Sequence, residues 1–281
     1  MYRRRHRNMQ FFSVDFHFEK QMIFVGFIEY ERGFGNRGKI MSGQIQNGGL
    51  TEIKTLLTTG YRPTITVDWL NNKLYWKCLN EKAGFKGAIH VSNLDGSDSH
   101  VIHNVQLTDR LSKLQLDPVN RWIYFLSKTS GYKDVLQRID IDKKGSPQTI
   151  ASCANEGQSM HCTYDFAIDN ADNGKVYWLD TFNHLVKSVS SDGGNPQSYD
   201  FGAYEFSLVL PGGYNVTTVD VPFEVAHKGS LYGNPWYRRH EKNGVIARMI
   251  TGSTTVNYLP SLGMKKYRVF HSSAQPVPNL K

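Results

Sequence analysis

Apolar and polar residues alternate in short stretches along the chain, and the alternation restarts about every fifty residues. In Thr64–Trp69 the side chains of Ile65, Val67 and Trp69 are apolar, while Thr64, Thr66 and Asp68 between them are polar. A period of two predicts a strand with one buried face. Equivalent first strands read FFSVDF, TITVDW, KLQLDP, DFAIDN and PFEVAH. Each precedes an aromatic second strand: MIFVG (Met22–Gly26), LYWKC (Leu74–Cys78), IYFLS (Ile123–Ser127), VYWLD (Val176–Asp180) and LYGNP (Leu231–Pro235). Third strands follow as GKIMSGQI, AIHVSNL, VLQRIDI, HLVKSVS and GVIARMI. They run into glycine-containing turns such as Asp95-Gly96 and Asp192-Gly193-Gly194, then a fourth strand. Glycine supplies the positive φ that hairpin turns demand.

A carboxylate closes the first strand in four repeats, at Asp15, Asp68, Asp117 and Asp169, with spacings of 53, 49 and 52 residues. Four antiparallel strands repeated at that period predict an all-β propeller. A parallel solenoid is disfavoured, because hairpin turns join adjacent strands within each unit. The propeller is expected over 10–276, with blade units at about 10–60, 61–110, 111–160, 161–215 and 216–262. The innermost strand of a sixth blade follows at 263–272 (KKYRVFH, Lys265–His271), with that blade's three outer strands missing. Residues 1–9 read as a basic tail and 273–281 as a linker. The tail is too short for three strands, each of which needs about five residues. The chain therefore reads as a fragment or truncated gene product, with an open edge prone to aggregation.

Composition narrows the function classes. No apolar run approaches the roughly 18–20 residues that span a bilayer. The basic start MYRRRHRNMQFF lacks the apolar segment of a signal peptide. Membrane attachment would then come only through segments absent from this chain. The net charge of +8 points to an acidic partner. Nucleic acid is not expected, because no basic stripe interleaves with a stacking platform. No C-x-x-C, H-E-x-x-H, G-x-S-x-G or P-loop pattern is present, and neither a catalytic centre, a metal site nor a cofactor is expected.

Individual residues carry two readings each. The four Asp side chains either form a ring of carboxylates that holds an ion, or each closes its strand and accepts turn amides; the second reading is preferred. Cys153 and Cys162 are close enough in sequence to form a disulfide in an oxidising compartment, and Cys78 reads as a buried free thiol. His90, His100 and His103 cluster in one repeat and are either surface residues or a pH switch. The stretch Gly33–Gly38 reads as a flexible loop. Asn215-Val216-Thr217 is a glycosylation sequon beside a Gly-Gly loop and favours secretion. Loops joining second to third strands carry Arg32, Phe34, Arg37, Lys82, Phe85, Lys86, Trp236, Tyr237, Arg238 and Arg239. Aromatic residues with arginine are the composition of interface hot spots, so these loops are the candidate ligand-binding face.

Tyr75-Trp76, Tyr124 and Tyr177-Trp178-Leu179-Asp180, framed by VDWLNNKLYW, LDPVNRWIYF and NLDGSDSHVI, resemble the YWTD motif of low-density-lipoprotein-receptor class B repeats. The motif's Thr is absent, with Lys77, Leu126 and Leu179 in its place. In that family the Thr–Asp pair ties neighbouring blades, so apolar packing is expected to replace the tie in several blades here. The resemblance implies a non-catalytic, extracellular, ligand-binding propeller of a larger cell-surface receptor, serving receptor-mediated endocytosis and ligand release. Its partner would be a protein or lipoprotein ligand with an acidic patch. A signalling co-receptor or basement-membrane propeller is the alternative, and a calcium-dependent propeller hydrolase a third.

Overall fold

The computed structural model describes residues 8–31, 35–46, 49–80, 86–106, 113–128, 134–143, 145–152, 166–169, 174–180, 185–200, 223–226, 230–233, 245–250 and 256–260. No helix among them is long and apolar enough to cross a membrane. Their strands gather into five four-stranded antiparallel sheets. The first sheet holds β1 (Asn8–His17), β2 (Met22–Glu31), β3 (Gly35–Gln46) and β4 (Gly49–Thr59). The second holds β5 (Tyr61–Asp68), β6 (Lys73–Asn80), β7 (Lys86–Asn93) and β8 (His100–Gln106). The third holds β9 (Leu114–Asp117), β10 (Trp122–Lys128), β11 (Asp134–Asp140) and β12 (Gln148–Ser152). The fourth holds β13 (Phe166–Asp169), β14 (Lys175–Asp180), β15 (Leu185–Val189) and β16 (Gln197–Asp200). The fifth holds β17 (Phe223–Ala226), β18 (Ser230–Gly233), β19 (Val245–Ile250) and β20 (Val256–Pro260). Within every sheet the strands lie in chain order, the arrangement of propeller blades. Lys265–His271, the expected inner strand of a sixth blade, lies outside the described residues.

The chain divides into two compact units, Met1–Leu114 and Gln115–Lys281, the boundary falling at the first residue of β9. In the first unit Phe24 and Ile40 of the first sheet bury against Ile65, Val67, Leu74 and Trp76 of the second. In the second unit Tyr124, Leu126, Leu136 and Ile150 of the third sheet meet Phe166, Ile168, Val176, Trp178 and Val189 of the fourth. The aromatic second strands thus supply the wedges between sheets, where large side chains contribute most burial per residue.

In the second and third sheets the carboxylate that ends the first strand organises the following turn. Asp68 Oδ1 accepts the Leu70 and Asn71 amides at 3.2 and 3.0 Å, and the Asn71 side chain donates to both oxygens. Asp117 repeats the geometry with Val119 and Asn120 at 3.1 and 3.0 Å, and the Asn120 side chain at 2.7 Å. Both carboxylates are fully buried, which is tolerable because hydrogen bonds satisfy them. The turn then closes through a left-handed residue placed immediately before the second strand: Gln21 (φ 53°), Asn72 (55°), Arg121 (63°) and Gly174 (74°). At Gly174 a side chain would also strike the Asp117 carboxylate.

The third-to-fourth turns share a second geometry. Gly96 (φ 88°) and Gly193 (φ 89°) donate to the Asn93 and Ser190 carbonyls at 3.0 and 2.9 Å. Each turn rests on the fourth strand of the preceding sheet in its unit: a Cβ on Gly96 would lie 3.1 Å from the Leu56 carbonyl, and one on Gly193 2.9 Å from that of Ile150. One sequence expectation is corrected here. The stretch Gly33–Gly38 is strand from Gly35 onward, pairing with Ile28–Glu31. Its glycines answer a packing demand, because a side chain on Gly38 would strike the Gly60 carbonyl and approach Pro63.

Gly174→Ala is expected to lower stability by about 2–3 kcal/mol, from the left-handed backbone and the collision with Asp117. Gly145→Ala, where an added Cβ meets nothing within 4 Å, should leave stability unchanged. Urea denaturation of both variants measures the contrast.

Candidate functional site

The first strand of each sheet is an edge, so its outward N–H groups need acceptors from elsewhere. In the first unit β5 lies beside β1. The Ile65 amide donates to Ser13 Oγ at 3.1 Å, and the Val67 amide to Asp15 Oδ2 at 2.9 Å. Asp15 Oδ1 takes the Phe16 amide at 2.9 Å, and the Ser13 hydroxyl donates to the Pro63 carbonyl at 3.0 Å. In the second unit the Ile168 amide of β13 donates to Gln115 Oε1 of β9 at 2.8 Å. Ser13 and Gln115 occupy the same repeat position, two residues before the recurring Asp. Thr66 occupies it in the second sheet and is also buried. Beside the apolar packing between adjacent sheets, side chains of the first strands therefore make polar ties directly. The signal was present as one polar residue inside an otherwise apolar strand. Ala167 holds the position in the fourth sheet and offers no acceptor.

Asp15, Asp68 and Asp117 thus spend their oxygens on backbone and turn groups. Among the described residues no group of three or more His, Cys, Asp or Glu is placed to hold a metal.

One position concentrates backbone strain and unused polarity. The approach to β5 bulges: the register with β6 jumps from Tyr61↔Leu79 to Thr64↔Lys77, so that Arg62 and Pro63 together stand opposite the single residue Cys78. Arg62 is left-handed, with φ 58°. Its conformation is pinned from the first sheet by the Ser13–Pro63 hydrogen bond. Gly26 makes the approach feasible, because a Cβ there would lie 2.5 Å from the Pro63 carbonyl. The guanidinium carbon lies 4.8 Å from the Tyr61 ring centroid and 5.5 Å from that of Phe12. Its Nε is buried without a hydrogen-bond partner. Beside it on β1, Phe11 is 64% exposed with its ring 6.2 Å from that of Phe27.

Strand register places this cluster at the loop-bearing end of the sheets. Asn8 pairs with Tyr30, Glu31 with Gly35, Tyr61 with Leu79 and Asn80 with Lys86. The connections 32–34 and 81–85 therefore leave from the same end as Arg62. Of the sequence-nominated face, Arg37 is an exposed residue of β3 and Lys86 begins β7. Arg32, Phe34, Lys82, Phe85, Trp236, Tyr237, Arg238 and Arg239 lie outside the described residues, as do Cys153, Cys162 and Asn215. Tyr75, Trp76, Tyr124, Tyr177 and Trp178 are buried in second strands, and Asp180 ends β14. Cys78 is a buried free thiol.

Burial sets the protonation of the interior groups. It pushes the Cys78 thiol up, against a weaker opposing hydrogen bond from the Gly60 backbone. His90 stacks on Trp76 at 5.1 Å with an interplanar angle of 6° and lies 3.6 Å from Cys78 Sγ. Burial holds His17, His90 and His103 below the ordinary histidine value. His17 is fixed as the neutral ring: Nδ1 accepts the Lys20 amide at 3.3 Å, so Nε2–H donates to Asn72 Oδ1 at 3.1 Å. Tyr124 is held well above the usual tyrosine range by burial and by the neighbouring Asp117 charge.

No family model and no curated protein matches the chain. Solved structures of similar fold include TolB from Acinetobacter baumannii, with TM-score 0.59 and 13% identity, over 91% of this chain and 55% of that one. The chain thus spans about half of that protein's length. A putative TolB from Agrobacterium tumefaciens matches with TM-score 0.54 and 12% identity, over 92% of this chain and 84% of that one. The β-propeller domain of the Trilobed protease from Pyrococcus furiosus, with its open velcro topology, matches more loosely, at TM-score 0.43 and 11% identity, over 86% and 68%. These likenesses concern fold. The two TolB likenesses correct the resemblance to low-density-lipoprotein-receptor class B repeats, and with it the receptor and endocytosis reading. The physical reason lies in the residues that carried it. Aromatic pairs on second strands wedge the sheets apart, the strand-end Asp caps a turn, and Asp-Gly completes a hairpin. Each of the three serves the four-stranded sheet in which it occurs, whatever the family.

Ser13→Ala removes an acceptor and a donor at once and should cost about 1–3 kcal/mol by leaving the Ile65 amide or Pro63 carbonyl unsatisfied; thermal denaturation of the variant reads it. The three lowered histidines set a pH window. Unfolded chains take up protons at the ordinary value of 6.5, whereas the folded chain does so only lower. Their contribution is therefore complete above 6.5 and is lost as pH falls below it. Stability should decline as pH falls below 6.5, and His17→Gln should flatten part of that slope; Tm measured as a function of pH decides.

Proposed function

We propose that the chain is a non-catalytic binding propeller with a TolB-like fold, its five sheets serving as five blades. Its partner is a protein with an acidic patch, held at the end of the blades from which the second-to-third loops leave. The observation that carries this reading is the fate of the recurring carboxylate. Asp68 and Asp117 are buried and saturated by turn amides and Asn side chains, so the repeat's most chemical residue serves the scaffold. What varies from blade to blade is the loop end, where cations and aromatics accumulate on a chain of net charge +8. Such surfaces speed and select acidic partners through complementary charge.

Purified protein treated with a fluorophosphonate probe and offered a peptide-substrate panel, with and without calcium, should show neither labelling nor turnover. Covalent labelling of a serine on this chain would overturn the non-catalytic reading. The triple variant Arg37→Glu, Lys82→Glu, Lys86→Glu should abolish the salt-sensitive retention of the protein on a polyglutamate resin; undiminished retention places the binding face elsewhere.

A further inference from the structure

We infer that Arg62 is a carboxylate-recognising anchor for an acidic peptide segment of the partner, a role that rests on the binding-propeller reading and gives it an address. Four observations converge on it. Arg62 is held in the left-handed region at φ 58°, a conformation that costs a non-glycine residue free energy and persists only where its surroundings enforce it. Those surroundings are specific: Ser13 holds the Pro63 carbonyl, and Gly26, Gly38 and Gly60 leave room where any side chain would collide with backbone.

The guanidinium packs against the rings of Tyr61 and Phe12, which restricts its freedom in advance and reduces the entropy lost on binding. Its Nε is buried and unpartnered, and among the described residues Arg62 has no ion-pair partner. By contrast, the nearby Glu29 carboxylate is already engaged by Lys39. A half-buried, pre-oriented arginine without an acid is built to receive one, and a carboxylate takes the planar fork in bidentate fashion. Exposed Phe11 on the adjoining strand offers an apolar contact beside the charge. Arg37 at the same end of the first sheet adds a second cation. The occupant that fits is a peptide carrying Asp or Glu next to an apolar residue.

Arg62→Gly separates this role from a structural one, because glycine relaxes the left-handed backbone while deleting the guanidinium. The probe is a fluorescein-labelled peptide of alternating Glu and Phe residues, followed by anisotropy. Arg62→Gly is expected to weaken binding by about tenfold or more with Tm unchanged or raised. Arg62→Lys, which keeps the charge but loses the planar fork, should fall between. A Tm drop of several degrees in Arg62→Gly would make the stacked cation a structural element and overturn the proposal. Unchanged affinity, or no anisotropy change with the natural sequence, would overturn it as well. So would complete displacement by millimolar inorganic phosphate, which would mark a small-anion site only. If Arg62→Gly is silent while Arg37→Glu with Lys82→Glu weakens binding, this anchor fails and the broader binding reading stands.

Discussion

A four-stranded antiparallel sheet leaves the outward amides of its first strand without partners, and a chain built by repeating such sheets must solve that problem at every repeat. Here the solution comes from the preceding first strand. Ser13 and Asp15 receive the Ile65 and Val67 amides, and Gln115 receives that of Ile168. An unsatisfied buried amide costs roughly 1–3 kcal/mol, so these bonds decide how closely adjacent sheets can approach. The aromatic wedges of the second strands then fill whatever gap the ties leave.

The same close approach explains where strain resides. Bringing the start of β5 against β2 and β3 requires bare glycine at Gly26 and Gly38 and one extra residue in β5. That bulge forces Arg62 out of the ordinary backbone regions and onto two aromatic rings. The turns tell a parallel story. Gln21, Asn72, Arg121 and Gly174 are all left-handed at equivalent places, and at Asn72 and Arg121 the strand-end carboxylate offsets part of that cost by ordering the turn amides. In the fourth sheet the residue is a glycine, where the Asp117 carboxylate leaves no room for a side chain.

Physical demands of this kind also explain why a family resemblance can mislead. Tyr75-Trp76 and Tyr177-Trp178 are buried wedges, Gly96 and Gly193 are hairpin corners, and Asp68 and Asp117 are turn caps. Each is selected by sheet geometry before any ligand is involved. The likeness of fold to TolB at 13% and 12% identity shows how little of the sequence such a fold constrains.

The period-two alternation and the recurrence near fifty residues were enough to place four strands in each repeat, because burial of one sheet face imposes both patterns on any sequence. The turn-capping role of Asp68 and Asp117 was legible for the same reason, since an Asp followed three residues later by Asn reports local geometry. What the linear pattern did not disclose were relations between distant residues. Ser13 bonds across to Pro63 and Ile65, Gln115 to Ile168, and Gly38 is bare because of Gly60, partners 22 to 53 residues apart. Arg62 carried no local signal, because its strain comes from two sheets meeting. Local hydrogen bonds and periodicity are written in neighbouring residues, whereas the strained arginine exists only once packing has brought Phe12, Ser13 and Gly26 to it.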